Sequence, residues 1–147
     1  MAIKGKMTVD DMVNTDLPYA PPFSLAIDHS IATAHIMQNK LKGYFTGISA
    51  KELHAKLLAH EPMFLIDTRN PDEYEQMRLG IGEKLIPLGQ LRKRLNEIPE
   101  DKNAEIIVWC KISLRGYEAA VVLQANGYTN VKVLEGGIMA CPYKREL

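Results

Sequence analysis

The sequence predicts an α/β fold with a mostly parallel central sheet. Three apolar runs carry that expectation: Met63-Phe64-Leu65-Ile66, Ile106-Ile107-Val108-Trp109 and Val131-Lys132-Val133-Leu134. Between and after them lie segments with helical apolar spacing and helix start and stop residues. Short strands alternating with helices are the signature of parallel-sheet architecture.

Element by element, residues 1–43 differ from the rest. Asp16-Leu17-Pro18-Tyr19-Ala20-Pro21-Pro22-Phe23 holds three prolines within five residues, which excludes helix and sheet interior and favours an extended arm. Ser24 to Lys42 carries Ile27, Ile31, Ala34, Ile36, Met37 and Leu41 between polar residues, which predicts one helix stopped at Gly43. An arm and one helix enclose no core, so this stretch is expected to pack on something else. From residue 44 the pattern is regular. Ser49-Ala50-Lys51-Glu52 is a capping box ahead of Leu53, Leu57 and Leu58. The first strand, Met63–Ile66, closes at Asp67, and Asn70-Pro71 restarts a helix. Leu88, Leu91, Leu95 and Ile98 predict a further helix stopped by Pro99. Ile106–Trp109 is the strongest strand signal. Arg115 to Asn126 reads as a helix ending at Gly127, Val131–Leu134 as a strand, and Gly136-Gly137 as the start of a last turn.

The chain has 147 residues, about one domain. Eighteen Lys and Arg against 18 Asp and Glu give zero formal charge, so there is no basic field for a nucleic-acid backbone. No apolar run approaches the ~18 residues of a membrane span. The first residues, Met1-Ala2-Ile3-Lys4-Gly5-Lys6, lack the apolar centre of a secretion signal. Two cysteines, Cys110 and Cys141, are too few for a disulfide framework and fit a reducing, cytoplasmic location. His29, His35, His54 and His60 show no ligand spacing, so no metal site is expected.

In parallel sheets, functional groups gather beyond the carboxyl ends of the strands. Asp67-Thr68-Arg69 follows one strand there, and Cys110-Lys111-Ile112-Ser113-Leu114-Arg115-Gly116 joins another to a helix. A cysteine facing a helix N-terminus meets unpaired amides and the positive end of the helix dipole. Lys111 and Arg115 add positive charge. These features favour a nucleophilic thiolate; the alternative is a buried cysteine that only packs.

These residues resemble the rhodanese family of sulfurtransferases over residues 44–147. The resemblance runs through Leu65-Ile66-Asp67-Thr68-Arg69, Asp72-Glu73-Tyr74, Leu85-Ile86-Pro87-Leu88, Val108-Trp109-Cys110, Arg115-Gly116-Tyr117 and Val131-Lys132-Val133-Leu134-Glu135-Gly136-Gly137. It implies a three-layer rhodanese-like fold, a catalytic Cys110, and a substrate-binding loop of Lys111, Ile112, Ser113, Leu114 and Arg115. Asp67 and Arg69 are expected to brace that loop, with Arg69 also a candidate substrate contact. Two positions depart from the family pattern: Ser113 stands where many members have glycine, and Cys141 where an aromatic residue often follows the double glycine. A serine suits that place only if its backbone is not left-handed.

Asp16 to Ser24, followed by Ala26-Ile27-Asp28, is similar to the end of the dimerisation region in flavoproteins of the coenzyme A disulfide reductase type, some of which continue into a rhodanese domain. The expectation is therefore a dimerisation-region remnant at 1–43 and a rhodanese domain at 44–147, the C-terminal part of such a fusion. FAD, NAD(P)H and coenzyme A would belong to the flavoprotein domains and none to this chain, which has no Gly-x-Gly-x-x-Gly fingerprint. Tyr19 would approach a flavin site only with those domains present. The expected partners are a small sulfur donor and a thiol acceptor, and a second copy through the arm.

Loop length separates two cysteine chemistries. Cys110 to Arg115 is Cys-x4-Arg, one residue shorter than the Cys-x5-Arg cradle of cysteine phosphatases, and suits a smaller object such as a terminal sulfur. A non-catalytic binding module is the main alternative, with a phosphatase behind it.

Overall fold

The computed structural model describes residues 2–18, 20, 22–23 and 27–146. Within them the chain divides into two units, Met1–Phe45 and Thr46–Leu147.

In the second unit five short strands form one parallel sheet: β1 (Gly47–Ile48), β2 (Phe64–Asp67), β3 (Lys84–Leu85), β4 (Ile106–Trp109) and β5 (Val131–Leu134), in the order β1-β5-β4-β2-β3. Central β4 is fully buried along its length, which explains its uninterrupted apolar sequence. Asp67 pairs in register with Trp109, so β2 and β4 end side by side. Thr68 ties the two ends together: its N–H and hydroxyl both donate to the Trp109 carbonyl, at 2.9 and 2.7 Å. That register brings the segment after β2 against the loop after β4.

Helices cover both faces. Leu53 of α3 (Ala50–Leu58) and Ile138 of α7 (Gly137–Ala140) pack with Ile107, Trp109, Leu65 and Leu134 in one core cluster. The other face carries α6 (Leu114–Ala125), which buries Ala119, Ala120, Val122 and Leu123, with α5 (Leu88–Leu91) beside it. α4 (Pro71–Gln76) follows β2. The Ser49 capping box is closed: Ser49 N–H donates to Glu52 Oε2 at 2.9 Å and Glu52 N–H to Ser49 Oγ at 3.2 Å.

The elements differ from expectation in three places. The helix expected over Leu88–Ile98 breaks after Leu91, and a single 3-10 turn follows at Leu95–Glu97. Arg94 leaves helical geometry (φ −115°, ψ 23°) where its guanidinium clamps Glu97, while Leu91 and Ile98 both stay buried. The apolar spacing was met by a bent chain. Strands β1 and β3 have two residues each, too short to leave a period in the sequence.

The third difference lies in the first unit. A short helix, α1 (Val9–Val13), precedes the proline-rich stretch and packs on α2 (His29–Leu41). Thr8 and Asp11 form its capping box, and Gln38 of α2 donates to Asp10 at 2.6 Å. α2 begins at His29 because Asp28 caps it, accepting from Ser30 N–H at 2.8 Å. Tyr19, Pro21, Ser24 and Ala26 of the motif lie outside the described residues. Among the described residues no helix is long and apolar enough to cross a membrane.

Candidate active site

Cys110 is the first residue after β4 and is 1% exposed. The loop it opens is held from two sides. Carbonyls of Cys110 and Lys111 accept from the N–H groups of Ile138 and Met139, at 3.0 and 3.1 Å, in the first turn of α7. Gly137 makes that approach feasible. It sits at φ +60°, and a Cβ there would lie 2.4 Å from the Cys110 carbonyl oxygen. On the other side Gly116 lets the start of α6 lie against the end of β4, where a Cβ would stand 3.1 Å from Trp109 Cα. The N-terminus of α6 is thereby brought to Cys110. Its first intrahelical bond runs from Tyr117 N–H to the Ser113 carbonyl at 2.8 Å, so the amides of Leu114, Arg115 and Gly116 precede it and have no intrahelical acceptor.

Ser113 is left-handed, at φ +83° and ψ −22°. The condition under which serine suits this position is therefore not met by the backbone alone. Its side chain supplies an offset: Oγ donates to the Leu134 carbonyl at 2.9 Å. A left-handed non-glycine residue costs about 1–2 kcal/mol and one such hydrogen bond contributes about 1 kcal/mol, so the two nearly cancel. Ser113→Gly is accordingly expected to change stability by less than about 1 kcal/mol, whereas Ser113→Val, branched and without a donor, should cost about 2 kcal/mol or more. Thermal melts of both variants check this.

Arg115 points to a carboxylate that the sequence reading had not assigned to the site. Its Nη1 and Nη2 donate to Glu73 Oε2 and Oε1 at 2.6 and 2.7 Å, a two-pronged ion pair between half-buried side chains. Glu73 is the third residue of α4 and also accepts from Asn70 N–H at 3.1 Å. The Arg115 hydrogen bonds, aided by Asn70 N–H, hold its carboxyl down at about 2 against an ordinary value of 4.5. Arg115 is raised, first by Glu73 and more weakly by its nearness to Cys110. Because the carboxyl is depressed on folding, its stabilising contribution is complete above about pH 4.5 and is lost as pH falls toward 2. The stability gap between wild type and Glu73→Gln should therefore be constant at neutral pH and shrink across that acid window, as urea melts at stepped pH would show.

Asp67 and Arg69 form a separate, fully buried pair. Arg69 Nη2 meets Asp67 Oδ2 at 2.6 Å, and Nε lies 3.0 Å from both carboxylate oxygens. Further donors reach the carbonyl of Glu73 in the first turn of α4 (3.1 Å) and that of Met77 just past its end (2.6 Å). Arg69 thus braces the β2–α4 connection and is 2% exposed. Lys111, Ile112 and Leu114 are exposed around the loop mouth. Cys141 is buried elsewhere, in the apolar cluster with Trp109 and Ile138, and lines a cavity of about 30 Å³ with Leu53, His54, Leu57 and Tyr143. Among the described residues no three His, Cys, Asp or Glu side chains are grouped as metal ligands.

The Rhodanese-like domain model matches residues 49–141, most of the chain and all of this site. The chain belongs to the rhodanese-like domain family. As a rhodanese it is 32% identical over 93 residues to a sulfurtransferase of Allochromatium vinosum, covering 63% of this chain and 84% of that one. It is 42% identical over 73 residues to the uncharacterized protein YqhL of Bacillus subtilis, covering 50% and 56% of the two chains. Among solved structures, reduced CoADR-RHD of Bacillus anthracis superposes with a TM-score of 0.85 at 35% identity over 95% of this chain. An NAD-dependent persulfide reductase from A. fulgidus does so at 0.79 and 40% identity over 97%. The rhodanese chain spans 24% of the length of each of these two proteins. Family and relatives together support sulfur transfer in general.

Proposed function

We propose that this rhodanese moves a sulfane sulfur from thiosulfate or a persulfide to a thiol acceptor through a persulfide on Cys110. The observation that carries the reading is the placement of Cys110 at the end of β4, beneath the unpaired amides that open α6. The Cys110 thiolate attacks the outer sulfur of the donor. The donor's S–S bond breaks with its electron pair leaving on sulfite or on the donor thiolate, and a Cys110 S–S⁻ persulfide remains. An acceptor thiolate then attacks that outer sulfur, carries it away as a new persulfide and returns Cys110 as thiolate. No net electrons are gained or lost. The loop amides and the helix N-terminus stabilise the persulfide anion. Formation of thiocyanate from thiosulfate and cyanide tests the reading, and a chain that turns over no donor would leave the binding-module alternative.

A phosphatase reading is disfavoured by Glu73. It occupies both terminal nitrogens of Arg115, the group that would have to wrap a phosphate, and sets a carboxylate beside it.

The wider context we propose is the C-terminal part of a pyridine nucleotide-disulfide oxidoreductase/rhodanese fusion, in the cytoplasm, with FAD, NAD(P)H or coenzyme A held by other domains. The first unit serves there as an assembly element for a second copy, in keeping with Ile36, Met37 and Leu41, which lie exposed on α2. A chain beginning at Thr46 should then keep the thiosulfate activity and lose any dimer seen by sedimentation. A large loss of activity would show the first unit to be structural.

A further inference from the structure

The loop that opens on Cys110 contains two formal cations, and only one of them, Lys111, faces outward without a carboxylate partner among the described residues. Arg115 is clamped by Glu73 through two short hydrogen bonds. Glu73 is itself fixed at the start of α4 by Asn70 N–H, so the carboxylate is built into the fold and not a passing surface contact. Arg69 supplies no compensating charge, being buried against Asp67 and two carbonyls. What remains around the mouth is exposed Lys111 with apolar Ile112, Leu114 and half-exposed Met139.

Resting on the sulfur-transfer reading, we propose that Glu73 determines donor selectivity: by neutralising Arg115 it admits monoanionic alkyl persulfides in preference to dianionic donors such as thiosulfate. The physics is Coulombic. A fixed carboxylate acts on a dianion with twice the energy it exerts on a monoanion at the same place, so any penalty it imposes is squared in the binding constant. The two side chains are only 28% and 26% exposed, so solvent screens the pair incompletely. Glu73 acts through Arg115 and touches no reacting atom, which makes it a positioning residue. Its ionisation is constant at neutral pH, so the selectivity is a standing property and not a pH switch.

Two reagents of similar size and different charge read this directly. Iodoacetate and iodoacetamide both alkylate the Cys110 thiolate, and peptide mapping separates Cys110 from Cys141. In Glu73→Gln the iodoacetate-to-iodoacetamide rate ratio at Cys110 should rise about threefold, the square root of the tenfold expected for a dianion, and the rise should fade at 1 M salt, where the screening length is about 3 Å. Glu73→Asp, which keeps the charge, should hold the ratio near wild type. Kinetically, Glu73→Gln should lower KM for thiosulfate about tenfold and KM for hydroxyethyl persulfide by about the square root of that. An unchanged reagent ratio, or equal changes for both reagents and both donors, would overturn the proposal and leave Glu73 as a structural partner of Arg115. If the wild type transferred no sulfur from either donor, the sulfur-transfer reading would fail, while the alkylation ratio would still decide what Glu73 does to the charge at Cys110.

Discussion

Cys110→Ser is expected to abolish sulfur loading. On incubation with thiosulfate or polysulfide, the intact mass of the wild type should rise by one sulfur atom, and that of the variant should not. The substitution exchanges one second-row atom for a first-row one in a residue already 1% exposed, so the fold should persist. What disappears is a polarisable sulfur that attacks the donor's outer sulfur and then holds it in a stable S–S bond. A hydroxyl does neither, and transfer to cyanide should fall on the order of a thousandfold or more. Cys141→Ser is the matching control. Cys141 packs in the apolar cluster around Trp109, with its N–H on the Ile138 carbonyl, and its loss should leave loading intact. A persulfide mapped to Cys141 would defeat the assignment.

The second large effect is on stability. Arg69→Ala is expected to cost about 3–5 kcal/mol, because it leaves the Asp67 carboxylate buried without its partner and removes the donors to the Glu73 and Met77 carbonyls. For a chain of this size that is a fall in Tm on the order of 10 °C. Arg69→Lys should recover only part of the loss, since one ammonium cannot span a carboxylate and two carbonyls as the planar fork does. Below the variant's melt, KM for the sulfur donor should stay near wild type. A raised KM with little loss of Tm would instead make Arg69 a substrate contact, as the sequence reading had allowed.

The parts of the fold legible in the sequence are those whose cause is local. Ile106–Trp109 is apolar throughout because a central parallel strand is covered on both faces, and Ser49-Ala50-Lys51-Glu52 caps a helix with its own four residues. Asp28 starts α2 at His29, a local signal that the apolar spacing had masked. The two-residue strands β1 and β3 were not legible. Their hydrogen bonds are owed to neighbours far along the chain, β5 and β2 respectively, and two residues carry no period. The same holds for the bend at Arg94, where burial of Leu91 and Ile98 is reached by a turn and not by a continued helix.

At the site, the sequence by itself determined the chemical inventory and its order: a thiol at a strand end, a short loop, two cations and a helix start. Those follow from chain proximity, which the sequence records. It did not determine the charge that the loop presents. Arg115 reads as a free cation until α4 carries Glu73 to it across 42 positions of chain, and the burial of Arg69 against Asp67 depends on β2 and α4 closing over it. Nor does it show that Ser113 is left-handed or that Gly137 must lack a Cβ, because both depend on how closely β5 and α7 approach the loop. A side chain's charge is a property of its residue type. Whether that charge is spent on a neighbour or left for a substrate is decided by packing, and packing exists only in the folded chain.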